Sequence, residues 1–259
     1  MKEQIYTIPV MDAFKEESEC PICLLEKKLE DQYVDYVLGP SLMEPDCRIE
    51  TNDKGFCRRH FELLFNKQEN RLGLGLIIDT HLNEQNKKLR QKYYGAWGQG
   101  DGNLNPSSLI KSIQSKLSGK KSAGDIYTDS LVQYLTDLEN KCFICDKMNY
   151  TMERYIDVVF YLWLKENEFR DLFNSKKGFC LKHFRTLLEG AKKYLDSKHV
   201  PEFVNNLVKI ELENLERIQK EVHWFTEKFD YRNADAPWGN SKDAVPRSIQ
   251  KLVGYCNLK

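Results

Sequence analysis

The chain has eight cysteines. All but Cys47 and Cys256 fall in a pattern that occurs twice. The first copy is Cys20-Pro21-Ile22-Cys23 followed by Gly55-Phe56-Cys57-Arg58-Arg59-His60-Phe61. The second is Cys142-Phe143-Ile144-Cys145 followed by Gly178-Phe179-Cys180-Leu181-Lys182-His183-Phe184. Three thiolates and one imidazole make a closed tetrahedral donor set that suits Zn2+, and closed four-ligand sites are structural in character. The expectation is therefore two Zn2+ per chain. Cys20, Cys23, Cys57 and His60 would clasp the first half, and Cys142, Cys145, Cys180 and His183 the second. Such sites contribute ~10–16 kcal/mol in zinc-finger peptides, against the ~5–15 kcal/mol net stability of an ordinary domain.

Other chemistries for these residues are weaker. A disulfide framework does not explain why a histidine follows each third cysteine at ligand spacing. A thioredoxin-like use of CxxC lacks the surrounding βαβ pattern. An iron–sulfur cluster on Cys3His is the chemical alternative. A zinc-activated thiolate that transfers alkyl groups is another, and it requires an exposed site.

The elements that must position these ligands read as helices. In each GFCxxHF the Cys and His stand three apart on a helix and share its face. They also occupy its first turn, where the dipole and free N–H groups favour thiolate. Ile22, Leu25, Leu29, Tyr33 and Tyr36 predict a helix over Cys20–Leu38, with Pro21 in its first turn. Gly39-Pro40 stops it. Residues 1–18 read as a lead-in and 41–54 as an irregular return, long enough if extended to bring Cys57 back to Cys20. Residues 165–177 are the corresponding return in the second half. A helix from near Cys57 to Tyr94 is expected to break near Gly73 and Gly75. A single long helix is expected over Leu181–Phe229. No stretch alternates with period two, so the fold class is all-α.

The repeat extends beyond the metal motif. Trp97-Gly98 and Ser112-Ile113-Gln114 in the first half are matched by Trp238-Gly239 and Ser248-Ile249-Gln250 in the second. The reading is an internally duplicated helical bundle of two pseudo-symmetric halves. Residues 1–119 form the first, 120–141 a linker and lead-in helix, and 142–259 the second with a C-terminal tail. Duplicated units commonly pack about a pseudo-twofold axis, and a seam between them is a common place for a pocket. Asp243 is the expected N-cap of the Ser-Ile-Gln helix, with Pro246 in its first turn.

The remaining candidates are less specific. Tyr231, Arg232, Trp238, Asp243 and Arg247 lie in a tail dense in aromatic and hydrogen-bonding groups. They read either as one wall of a ligand or partner site or as a tail docked on the bundle. His81, His199 and His223 read as ordinary helix residues, and Cys47 as a plain thiol within reach of the first clasp. Gly98-Gln99-Gly100-Asp101-Gly102 has no strand before it and reads as a turn rather than a phosphate loop. Lys111, Lys116, Lys120 and Lys121 read as a solvated face, because few aromatics interleave with them.

With both CxIC and GFCxxHF pairs and the tail Phe-Asp-Tyr-Arg-Asn…Trp-Gly-Asn-Ser-Lys-Asp-Ala in view, the chain resembles an uncharacterised family of bacterial proteins found largely in anaerobic Firmicutes. The resemblance covers nearly the whole chain. It implies a bacterial cytosolic setting and paired metal motifs, and it carries no activity.

Composition fits this picture. The 259 residues carry a formal net charge of zero, with 41% hydrophobic and 30% charged residues. A neutral chain gives no reason to expect nucleic acid. The start has no signal-peptide core, and the apolar run Tyr155–Leu164 is about half the ~20 residues of a spanning helix. The expectation is a cytoplasmic zinc-binding helical protein that binds a protein or small-molecule partner. The alternative is a metal–thiolate enzyme or a redox or metal sensor. No Ser/His/Asp order, paired-carboxylate motif or nucleotide loop points to a reaction.

Overall fold

The structure, a computed structural model, describes residues 2–97, 123–256 and 258. Eleven α-helices and no strand occur among them. The helices are α1 (Lys2–Lys15), α2 (Pro21–Leu38), α3 (Pro45–Lys54), α4 (Arg58–Lys67), α5 (Arg71–Trp97), α6 (Ala123–Glu139), α7 (Phe143–Lys165), α8 (Asn167–Asn174), α9 (Leu181–Tyr194), α10 (Val200–Glu227) and α11 (Ala244–Val253). Gly98–Gly102, the Ser112–Gly119 segment and the four-lysine cluster lie outside the described residues. None of the helices is long and apolar enough to cross a membrane.

The chain forms two compact units that differ from the sequence halves. Unit 1 combines residues 1–30 with 148–259, and unit 2 is residues 31–147. The divisions fall inside α2 and inside α7. Each of these helices starts at a CxIC pair in one unit and continues as part of the other.

Unit 1 is built around an aromatic core. Phe14 of α1, Phe169 and Phe173 of α8, Phe179, and Phe203 of α10 are all fully buried. Their rings meet at centroid distances of 4.9 Å (Phe14–Phe169), 5.2 Å (Phe173–Phe179) and 5.5 Å (Phe173–Phe203). The expected lead-in is thus a helix of the core: Val10, Ala13 and Phe14 are fully buried along one face of α1. The apolar run Tyr155–Leu164 supplies Val159, Phe160 and Trp163 to the same core.

Two helix breaks fall at capping side chains rather than where the sequence pattern places them. The α4–α5 break is at Gln68, in the left-handed conformation at φ 60°, and not at Gly73 or Gly75. Asn70 then opens α5, its Oδ1 accepting the Gly73 N–H at 2.8 Å while its Nδ2 donates to Leu38 O. The expected single helix over 181–229 is two, α9 and α10. Asp196 parts them by accepting the backbone N–H groups of Lys198 and His199. Helix α11 starts after Asp243 as expected, but that carboxylate pairs with Arg247 instead of capping.

The returns are helical too. Residues 45–54 form α3 and 167–174 form α8. This shortens them. At ~1.5 Å per residue, α2 with its 18 residues is ~27 Å long and α3 with its 10 residues ~15 Å. Helix α7 runs ~35 Å and α8 only ~12 Å.

Candidate metal centres

Two groups of four residues converge, and their membership is exchanged relative to the sequence expectation. One is Cys20, Cys23, Cys180 and His183, all within unit 1. The other is Cys57, His60, Cys142 and Cys145, all within unit 2. All eight expected residues take part in the two groups, but each CxIC meets the GFCxxH of the other copy.

Within each group the donor atoms all lie within 4.8 Å of one another. In unit 1, Cys23 Sγ is 3.5 Å from Cys180 Sγ. His183 Nδ1 is 3.5, 3.3 and 3.2 Å from the sulfurs of Cys20, Cys23 and Cys180. In unit 2, Cys57 Sγ is 3.8 Å from Cys145 Sγ. His60 Nδ1 is 3.2, 3.2 and 3.4 Å from the sulfurs of Cys57, Cys142 and Cys145. Tetrahedral zinc with Zn–S near ~2.3 Å has S···S edges of about 3.8 Å. The donor sets therefore fit a tetrahedral cation, with Nδ1 as the ligating nitrogen in both.

Local sequence explains why the ligands present themselves. Gly55 and Gly178 both take positive φ, 61° and 77°. They turn the chain so that Cys57 and Cys180 become the N-caps of α4 and α9. The Cys180 sulfur accepts the His183 backbone N–H, as an N-cap side chain does. A Cβ at Gly55 would meet the His81 ring at 2.6 Å, and one at Gly178 would meet Glu211 Oε2 at 2.7 Å and Lys251 Nζ at 2.9 Å.

Without a cation the thiols cannot all ionise together. In unit 1, hydrogen bonds from Cys20 and Cys23 hold Cys180 well below the ordinary thiol range. Burial pushes Cys20 well up, and the hydrogen bond to Cys180 raises Cys23 to about 12. In unit 2, burial pushes Cys142 up, but the hydrogen bond to His60 and backbone N–H groups outweigh it and bring it to about 6. Burial, and then the neighbouring Cys142, raise Cys145. Each group thus sets a lowered thiol against a raised one, Cys180 against Cys20 and Cys23 and Cys142 against Cys145. A divalent cation would remove that conflict, since a coordinating thiol is deprotonated outright.

Residues around the ligands were not legible as site residues. His183 Nε2, on the far side of the ring from the sulfurs, lies 3.5 Å from Glu26 Oε2. Such a carboxylate fixes the tautomer and orientation of a metal-binding imidazole. Glu26 stands three residues after Cys23 on α2, a spacing that could have flagged it. Lys251 and Glu211, each 1% exposed, have their charged ends 3.9 Å apart. Lys251 donates to Lys177 O and Glu19 O, and Glu211 accepts the Phe179 N–H at 2.8 Å. Burial raises the Glu211 carboxyl and lowers the Lys251 ammonium. In unit 2, His81 and Gln85 share Asn52 O at the end of α3, and Phe143 N–H donates to Gly55 O at 3.0 Å.

The C-terminal candidates do not meet at one point. Tyr231 is exposed, and Arg232 is exposed and paired with Asp230. Trp238 packs on Phe225 at 5.9 Å and beneath the Lys228 ammonium. Lys228 in turn donates to the carbonyls of Asn233, Ala234 and Ala236. Asp243 and Arg247 join a separate cluster, where Arg247 bridges Asp243, Glu221 and Glu19 and Arg217 binds Glu19 and Glu221. Of the remaining histidines, His199 pairs with Asp196 and His223 is exposed. Cys47 belongs to neither metal group. It contacts Tyr36 Oη at 2.9 Å and Glu44 at 3.3 Å.

A family model of unknown function, DUF6062, matches residues 1–259. The chain belongs to that family. No curated protein and no solved structure matches it.

Proposed function

We propose that this is a cytosolic bacterial zinc-binding protein in which each Cys3His site holds one unit folded and which binds a small ligand or a partner. The observation that carries the structural reading is the closure of the unit 1 site. Cys20, Cys23, Cys180 and His183 are 5, 7, 0 and 3% exposed, and all four donors are engaged with one another. A bound zinc there would supply cross-linking of two helix N-termini, with no open coordination position for substrate. The eight free thiols suit a reducing compartment.

For the ligand, unit 1 offers a cavity of about 330 Å³ between α7 and α9. This is at the lower end of the ~300–1,000 Å³ range of small-molecule sites. Met152, Ile156 and Tyr194 form its apolar surface, and Glu26, Glu153, Lys182, Glu189 and Lys193 its charged one, with Lys182 paired to Glu26 and Lys193 to Glu153. That combination suits a small polar molecule with an apolar body.

The test is elemental analysis of anaerobically purified protein with an absorption spectrum of the same sample. The expected result is about two zinc per chain and no visible band. Iron with visible bands would overturn the structural-zinc reading and favour the redox alternative, in which the Cys3His sites are themselves reactive.

A further inference from the structure

We infer that Cys57 and Cys145 form an oxidant-sensitive edge of the unit 2 site, at which a peroxide closes a disulfide and expels the metal while the unit 1 site persists. This rests on the metal reading above and goes beyond it.

The two sites differ in what covers their sulfurs. In unit 1 the end of α11 lies against them. A Cβ placed on Gly254 would be 3.6 Å from Cys180 Sγ and 3.8 Å from Cys23 Sγ, and the Tyr255 backbone N–H bonds to Cys23. Every ligand there is buried. In unit 2, Cys142 and His60 are buried, whereas Cys57 and Cys145 are only half-buried. Thiolate oxidation follows access as well as ionisation.

The two accessible cysteines are also neighbours. Their sulfurs are 3.8 Å apart, and they come from different helices, α4 and α7. Closing the S–S bond to its ~2.05 Å length requires them to approach by roughly 1.8 Å. Neither needs to cross the buried pair to do so.

The chemistry balances with a peroxide as the named oxidant. One thiolate attacks the outer peroxide oxygen, breaking the O–O bond and expelling alkoxide or hydroxide, which takes a proton. The resulting sulfenic acid is attacked at sulfur by the second thiolate, and its hydroxide leaves as water after taking a second proton. Two electrons pass from the sulfur pair to the peroxide. The cation is left with Cys142 and His60 alone.

The experiment uses the full zinc-loaded chain, with zinc measured before oxidant so that the metal reading is tested separately. Hydrogen peroxide is then added in small excess. Released zinc is followed with a chromogenic chelator, and disulfides are mapped by mass spectrometry of peptides. The expected course is a fast release of about one equivalent with a Cys57–Cys145 peptide pair, and a second release at least tenfold slower. The C47S/C256S variant, which lacks the other two cysteines, should behave the same. Release of both equivalents at one rate, a fast-phase disulfide at Cys23–Cys180, or metal loss with no Cys57–Cys145 link would overturn the inference. So would two zincs that both survive with all thiols reduced.

Discussion

In unit 1 the Cys3His ligands are roofed by a helix end and backed by a buried ion pair. In unit 2 the same ligand types are backed by a half-buried histidine and leave two sulfurs partly open. The motifs differ at one telling position. Phe143 N–H donates to Gly55 O and ties the unit 2 ligand segments together through backbone. Its counterpart, Pro21, has no N–H to give. Unit 1 instead bonds Lys251 to Lys177 O and Glu19 O. A metal motif therefore fixes the first coordination shell only. What determines its permanence is the second layer, which each unit builds from different residues.

The largest expected effect bears on the metals themselves. Cys180→Ser should cost unit 1 most of its folded state, because structural zinc contributes ~10–16 kcal/mol in model peptides. Circular dichroism and metal content should fall together. Retention of two zincs and an unchanged melting curve would remove the basis for treating the unit 1 site as structural.

Next comes the buried pair. Lys251→Met leaves Glu211 as an unpaired buried carboxylate and should destabilise unit 1 by ~3–5 kcal/mol. The double variant K251M/E211Q should recover a substantial part of that loss in urea melts. A single variant as stable as the parent would show that the ion pair is not what backs this site.

The two turn glycines offer a direct contrast. Gly178→Ala and Gly55→Ala both place a side chain at positive φ, at a cost of ~1–2 kcal/mol. G178A also drives its Cβ into Glu211 and Lys251, which are fully enclosed, whereas G55A meets only the edge of the half-buried His81. Overpacking adds ~1–3 kcal/mol where neighbours cannot yield. G178A should therefore be the more damaging in thermal melts; the reverse order would place the more rigid backing in unit 2.

The smallest effect is at the surface of unit 2. The hydrogen bond from Lys88 holds the Asp53 carboxyl below its usual range. The resulting stability is present above the unfolded value near 3.8 and is lost as pH falls through the lower folded value. Asp53→Asn should cost less than ~1 kcal/mol at pH 7, since the pair is partly exposed. Its difference from the parent should shrink in acid.

Much of this was legible in the sequence. The eight residues that gather in two Cys3His groups, the all-α class, the start of α2 and the start of α11 follow from residue types and spacing. The pairing of the ligands was not. Two copies of GFCxxHF with the same internal spacing leave open which one each CxIC closes with, and only the folded chain decides it. Helix α1 was missed because Pro9 and its weak pattern hide a face that only tertiary burial reveals. The Lys251–Glu211 pair had no signal, since nothing in sequence marks a lysine on an amphipathic helix as buried. The tail is dense in aromatic and hydrogen-bonding groups, and Trp238 and Arg247 spend them on α10, against Phe225 and Glu221.

The exchanged ligands impose an order on biosynthesis. A chain emerging from the ribosome exposes Cys20, Cys23, Cys57 and His60 long before Cys142 appears. For that interval it carries a full donor set that the finished protein never uses together. The unit 2 group is complete when Cys145 has emerged, and the unit 1 group only with His183. A metal taken up during synthesis would therefore meet the more open group first and the sealed one last, after the segment that ends in Gly254 has been made.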